Sequence, residues 1–126
     1  MSGYFIVRCK YFDESEYRGY ARLAADAVRN FNGQFLVTGQ GVQNQQESGY
    51  LPKSVVVKFD SYQDALECYQ SEIYKQALSF IKDSSDRDFA IVEGLDWSSR
   101  FSALLLASFD VSWSNIHSKF VFVHAL

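Results

Sequence analysis

Phe59-Asp60-Ser61-Tyr62-Gln63-Asp64-Ala65-Leu66-Glu67-Cys68-Tyr69-Gln70-Ser71-Glu72-Ile73-Tyr74 joins a β-branched run to a helical one, and the rest of the chain can be placed around it. Val55-Val56-Val57-Lys58-Phe59 enters it as a strand. Ser61 offers a side-chain oxygen to the first turn of a helix, and Asp64 follows three residues later. Asp64 and Glu67 then sit where the helix dipole favours negative charge. Leu66, Tyr69, Ile73, Ala77, Phe80 and Ile81 recur at helical spacing and predict a buried stripe. Ser71 is a second capping residue, so the spacing predicts a break near Gln70-Ser71. A polar turn is expected over 83–88, then a strand over Phe89–Glu93 that ends at Gly94.

The N-terminal half has the same rhythm. Tyr4 to Tyr11 reads as a strand with Phe5, Val7, Cys9 and Tyr11 on one face and Tyr4, Ile6, Arg8 and Lys10 on the other. Asp13 with Glu16 starts a helix of about four turns. Its inner face is Tyr17, Tyr20, Ala21, Ala24, Ala27, Val28 and Phe31. Asn32-Gly33 ends it, with Gly33 expected to take the left-handed conformation. Gln34 to Thr38 is a second strand, with Phe35 and Val37 on one side and Gln34, Leu36 and Thr38 on the other. A long polar loop over 39–52 leads to the third strand, Ser54 to Phe59. Gly39 and Gly41 in that loop do not make a phosphate loop, because no Gly-Lys-Ser/Thr and no helix follow.

Strand, helix, strand, strand, helix, strand is the split βαβ order. It predicts an α+β, ferredoxin-like domain with a four-stranded antiparallel sheet and two helices on one face. The other face carries Tyr4, Ile6, Leu36 and Val56, too apolar to stay wet. Two such faces pairing about a twofold axis would bury them, which predicts a homodimer of the α/β-barrel kind.

Bulk properties narrow the function. The chain has 126 residues, enough for one core, and 48% hydrophobic content, which excludes wholesale disorder. A net charge of −3 and no Lys/Arg cluster argue against nucleic acid as partner. The longest apolar run, Ala103 to Ala107, is far short of the ~20 residues of a membrane helix. With no basic leader and only two isolated cysteines, Cys9 and Cys68, a cytoplasmic protein without disulfides is expected.

Catalytic signatures are sparse. Both histidines, His117 and His124, lie after residue 96, which leaves the first 96 residues without a triad or a clustered metal site. No metal or cofactor is expected. Cys68 has acidic neighbours, Glu67 and Asp64, which is the wrong setting for a nucleophilic thiolate. Tyr62, Tyr69 and Tyr74 read as packing aromatics. By alternation, Tyr4, Arg8, Lys10, Gln34, Thr38, Ser54 and Lys58 share the sheet face opposite the helices and form the candidate ligand cleft, with Arg8 suited to a carboxylate. The competing reading pairs Arg8 and Lys58 with acidic groups such as Glu93. Residues 97–126 carry only Arg100, Asp110 and Lys119 as charged side chains, and both tryptophans, Trp97 and Trp113. They are expected to form an apolar extension of the 1–96 domain, as a hairpin or a short helix, packed on the domain or on its partner.

Several stretches together resemble one family. They are Gly3-Tyr4-Phe5-Ile6-Val7-Arg8, Asp13 with Tyr17 and Tyr20, and Asn32-Gly33-Gln34-Phe35-Leu36-Val37-Thr38-Gly39. Phe59-x-Ser61-Tyr62-x-x-Ala65-x-x-x-Tyr69-x-Ser71-x-x-Tyr74 and Ile91-Val92-Glu93-Gly94 complete the set. About residues 2–95 are similar to the bacterial "domain of unknown function 1330" family of the dimeric α/β-barrel superfamily. The resemblance implies a ferredoxin-like dimer and no established activity. The chain departs from the family pattern at Cys68, at Ile81, and at Asn32-Gly33-Gln34 in place of a Gly-Gly-Arg run, and a basic group is missing at two of these three places. The expected function is small-molecule binding inside a barrel. The alternatives are a cofactor-independent enzyme on a small aromatic or acidic metabolite, and a purely structural dimerisation module.

Overall fold

The computed structural model describes residues 1–95. The expectations for residues 97–126 lie outside the described residues. The elements run β1 (Gly3–Tyr11), α1 (Glu14–Asn30), β2 (Gln34–Val37), β3 (Lys53–Phe59), α2 (Tyr62–Gln70), α3 (Glu72–Phe80) and β4 (Ser85–Glu93). The sheet order is β2-β3-β1-β4, and all three pairings are antiparallel. This is the predicted α+β, ferredoxin-like arrangement.

The helix signals act where the sequence puts them. The Asp13 carboxylate accepts from the Glu16 N–H at 2.9 Å, and the Ser61 hydroxyl accepts from the Asp64 N–H at 3.0 Å. The second helix does break at Ser71: its hydroxyl donates to the Cys68 carbonyl at 2.7 Å and accepts from the Tyr74 N–H at 3.3 Å. One residue thus closes α2 and opens α3. The break shifts the buried stripe to Ala65, Cys68, Tyr74, Ala77 and Ile81, while Phe80 is exposed and Leu66 half-buried.

Three local expectations are corrected. β4 starts at Ser85, so 85–88 is strand and not turn. Its inward residues find partners on β1, as Arg87 opposite Cys9 and Ser85 opposite Tyr11. Asn32, not Gly33, takes the positive φ, at 58°. Gly33 is needed for closeness: a Cβ there would lie 2.6 Å from Val28 Cγ1 and 2.8 Å from Phe59 Cε1. Finally, β2 is irregular: Phe35 pairs with Val57 but Val37 with Val56. That extra residue is a bulge, and it reverses the alternation beyond it. Phe35 and Val37 therefore do not share a face, and Thr38 turns to the helix side.

The core lies between the sheet and the helices. Phe5 is its hub, with ring centroids 4.7 Å from Phe59, 4.9 Å from Phe89, 6.0 Å from Tyr74 and 6.4 Å from Tyr69. Cys68 and Ile81, two of the departures from the family pattern, are buried in it. Gly3 seats β1 against the start of α2: a Cβ would meet Tyr62 Cα at 2.6 Å and the Ser61 carbonyl at 2.8 Å, both backbone. Gly3→Ala is expected to cost about 1–3 kcal/mol, since neither backbone can move aside cheaply. A urea midpoint lowered at constant slope is the expected reading, and an unchanged midpoint would show that the contact relaxes freely.

Candidate functional site

The helix side of the sheet is not fully packed. A cavity of about 190 Å³ lies between α1 and the strands. It exists because α1 presents small residues there, Ala21 and Ala24, while the edge strand β2 is short and exposed along its length. Tyr17, Phe35, Val28 and Val55 make apolar walls. Thr38, Gln40 and Lys53 stand at the β2–β3 side.

Its polar end is built from three elements. Arg87 reaches in from β4, Tyr20 from α1 and Tyr74 from α3. The two phenol oxygens are hydrogen-bonded at 2.8 Å. Arg87 Nη2 donates to Tyr20 Oη at 2.8 Å and to Tyr74 Oη at 3.2 Å. The guanidinium carbon also lies 4.9 Å from the Tyr20 ring centre and 5.0 Å from that of Phe89. Among the described residues no carboxylate forms an ion pair with Arg87. Asp86 and Asp88 flank it in sequence but alternate to the other face. Burial opposes the guanidinium charge, but the phenol oxygens of Tyr20, Tyr74 and Tyr11 more than offset it and its pKa is raised. Burial pushes Tyr20 and Tyr74 above the usual phenol range, with Arg87 working in the opposite direction. This end of the cavity at neutral pH is one cation and two protonated phenols. Cys68 lies apart from it, and burial pushes its thiol up to about 12, so it is no nucleophile.

Of the seven residues expected in a cleft, the structure brings only Thr38 to this cavity, and the bulge put it there. The other six are on the opposite face. Arg8 donates to Gln45 Oε1 at 3.1 Å, and Ser54 donates to Gln43 Oε1 at 2.8 Å, so the 39–52 loop holds both. Lys10 stands 5.4 Å from the Phe12 ring. Lys58 is opposite Tyr4 on one side and Gln34 on the other. Glu93, offered above as a partner for Arg8 or Lys58, is paired with Gly3 and so alternates to the helix side. Sequence reasoning missed Arg87 because it fell in a polar run. The available signal was the alternation Ser85, Arg87, Phe89, Ile91, which continues the inner face of the strand backwards.

A family model described as "Domain of unknown function (DUF1330)" matches residues 2–95. The chain belongs to this family. No curated protein matches this DUF1330 chain in sequence. Among solved structures it is similar to the RPA0582 protein of unknown function from Rhodopseudomonas palustris, with 12% identity, TM-score 0.59, and 75% of this chain and 83% of that one covered. It is also similar to SnoaB, a cofactor-independent oxygenase from Streptomyces nogalater, with 8% identity, TM-score 0.51, and 75% and 94% covered. At such identities the likeness is one of fold. It agrees with the ferredoxin-like topology of the DUF1330 domain, and no helix among the described residues is long and apolar enough to cross a membrane.

Proposed function

We propose that this DUF1330 chain binds a small organic molecule in the cavity between α1 and the sheet. The observation that carries the reading is the cavity itself: about 190 Å³ left open beside a core whose aromatic rings are in contact, Phe5 with Phe59 and with Phe89. Apolar voids of about 150 Å³ accept a benzene ring. Concave apolar walls with a few polar anchors are the general form of a ligand site. Ala24→Leu tests this by filling the space from α1. Toluene and indole are expected to shift the amide NMR signals of Val28 and Phe89 in the native chain and not in the variant. Equal shifts in both proteins would overturn the proposal.

The same reading includes a homodimer. Ile6, Val37 and Val92 on the outer sheet face are 38%, 45% and 39% exposed, and Leu36 at the bulge is 49% exposed. Pairing the outer faces would bury this apolar surface, with Tyr4, Gln34 and Lys58 meeting the partner. Light scattering at micromolar concentration is expected to give a dimer, and Ile6→Lys with Val92→Lys a folded monomer. A native monomer would count against the barrel.

A cofactor-independent enzyme is the second reading, favoured by the convergence of Arg87, Tyr20 and Tyr74. These groups suit negative charge developing on a substrate. Among the described residues no carboxylate or imidazole lines the cavity, and its phenols are held protonated by burial, which leaves Lys53 at the β2–β3 side as the group that could take a proton. Binding is the reading supported best.

A further inference from the structure

We infer that the molecule held in this cavity is a planar aromatic anion, its ring among the tyrosines and its carboxylate on Arg87. The inference rests on the binding reading above and adds the ligand's charge. Hydrogen-bond accounting carries it. Arg87 has five N–H donors and no acceptor. Its Nη2 is occupied by the two phenol oxygens. Its Nε is buried and without a hydrogen-bond partner among the described residues. The two phenols have two O–H groups between them, and their mutual bond uses one. The remaining O–H and the Nε–H have no protein acceptor among the described residues, and of these the Nε–H is the buried donor left unpaired. Such an end has an excess of donors, and what satisfies it is an acceptor with several lone pairs.

Charge points the same way. Arg87, Cys9 and Lys53 lie in one row across β4, β1 and β3, with Cys9 opposite both cations. Arg87 and Lys53 line the cavity and no acidic residue does, in a chain whose net charge is −3. Arg87 is half-buried and without a carboxylate partner among the described residues, which is costly for a cation, and a ligand carboxylate reduces that cost. Flat walls select the rest of the ligand: Tyr17, Tyr20 and Phe89 already accept planar groups, as the guanidinium against two of them shows.

The test compares benzoate, benzamide and toluene on the native chain by titration calorimetry and NMR. Benzoate and benzamide share shape and differ in charge. Benzoate is expected to bind about ten- to a hundredfold tighter than benzamide, the range of a charge-assisted hydrogen bond. Arg87→Met is expected to abolish that preference and Arg87→Lys to keep part of it. Equal binding of all three would overturn the anion and leave the cavity reading standing. Binding of none would remove the cavity reading, and this one with it. The native comparison needs no variant to fold.

Discussion

Phe5→Ala is expected to lose about 3–5 kcal/mol, a large share of the ~5–15 kcal/mol that stabilises a domain of this size. Phe5 is 2% exposed and stands at the centre of the ring cluster, in contact with residues from β3, α2, α3 and β4. Its removal takes away the buried area of the ring and leaves a hole that four elements would have to close together. Two of its neighbours are held elsewhere: Tyr74 by Tyr20 and Arg87, Phe59 by its close approach to Gly33. Partial collapse is therefore the expected response, which places the loss at the upper end of the range. Urea unfolding by tryptophan-independent far-UV dichroism reads it directly. A loss below about 1 kcal/mol would show that the ring cluster is not the hub of the core. The contrast is Phe80→Ala, at an exposed site, where a much smaller loss is expected.

Raising the pH from about 8 to about 11 is expected to destabilise the fold steeply. In the unfolded chain thiols lose their proton near about 8.5 and phenols near about 10. In the fold, burial pushes Cys68 up to about 12 and holds Tyr20 and Tyr74 above the usual phenol range. Across that window the folded chain keeps protons that the unfolded chain has released. The stabilisation is complete below the unfolded pKa values and is lost as pH rises through the folded ones. Each group that is ionised only in the unfolded chain removes about 1.4 kcal/mol per pH unit. Tyr20 and Tyr74 share a hydrogen bond and a cation, so they titrate as a pair. Tyr74→Phe removes one of the two phenols and is expected to flatten the slope. Urea midpoints that stay level up to about pH 11 would show that these groups are not held neutral by burial.

Local signals in the chain were readable in proportion to how local they are. Asp13, Ser61 and Ser71 cap helices because a side-chain oxygen meets an N–H three residues away, and nothing distant is needed. The inner face of β1 followed from alternation alone, and Phe5, Val7 and Cys9 are all buried. The order of elements then limited the topology to the split βαβ arrangement. The break at Ser71 was legible for the same reason. The packing beyond it was not: Phe80 belongs to the predicted stripe by spacing, yet it is exposed, with its ring against Gly19 of α1.

The residues around this cavity were not legible in the sequence because they meet only after folding. Tyr20 and Arg87 are 67 residues apart, and Tyr20 and Tyr74 are 54 apart. Polar composition over 83–88 resembled a turn, and only the partners on β1 make it strand. A single bulged residue in β2 moved Thr38 from one face to the other, and no count of alternation survives such an insertion. From its sequence alone this protein was determined to be an α+β, ferredoxin-like domain with a capped, interrupted second helix and a resemblance to the DUF1330 family, because caps, periodicity and element order are short-range or additive. The tertiary structure decided where the cavity opens, which cation ends it and which phenols face that cation, because those depend on strand register and on how far α1 stands from the sheet.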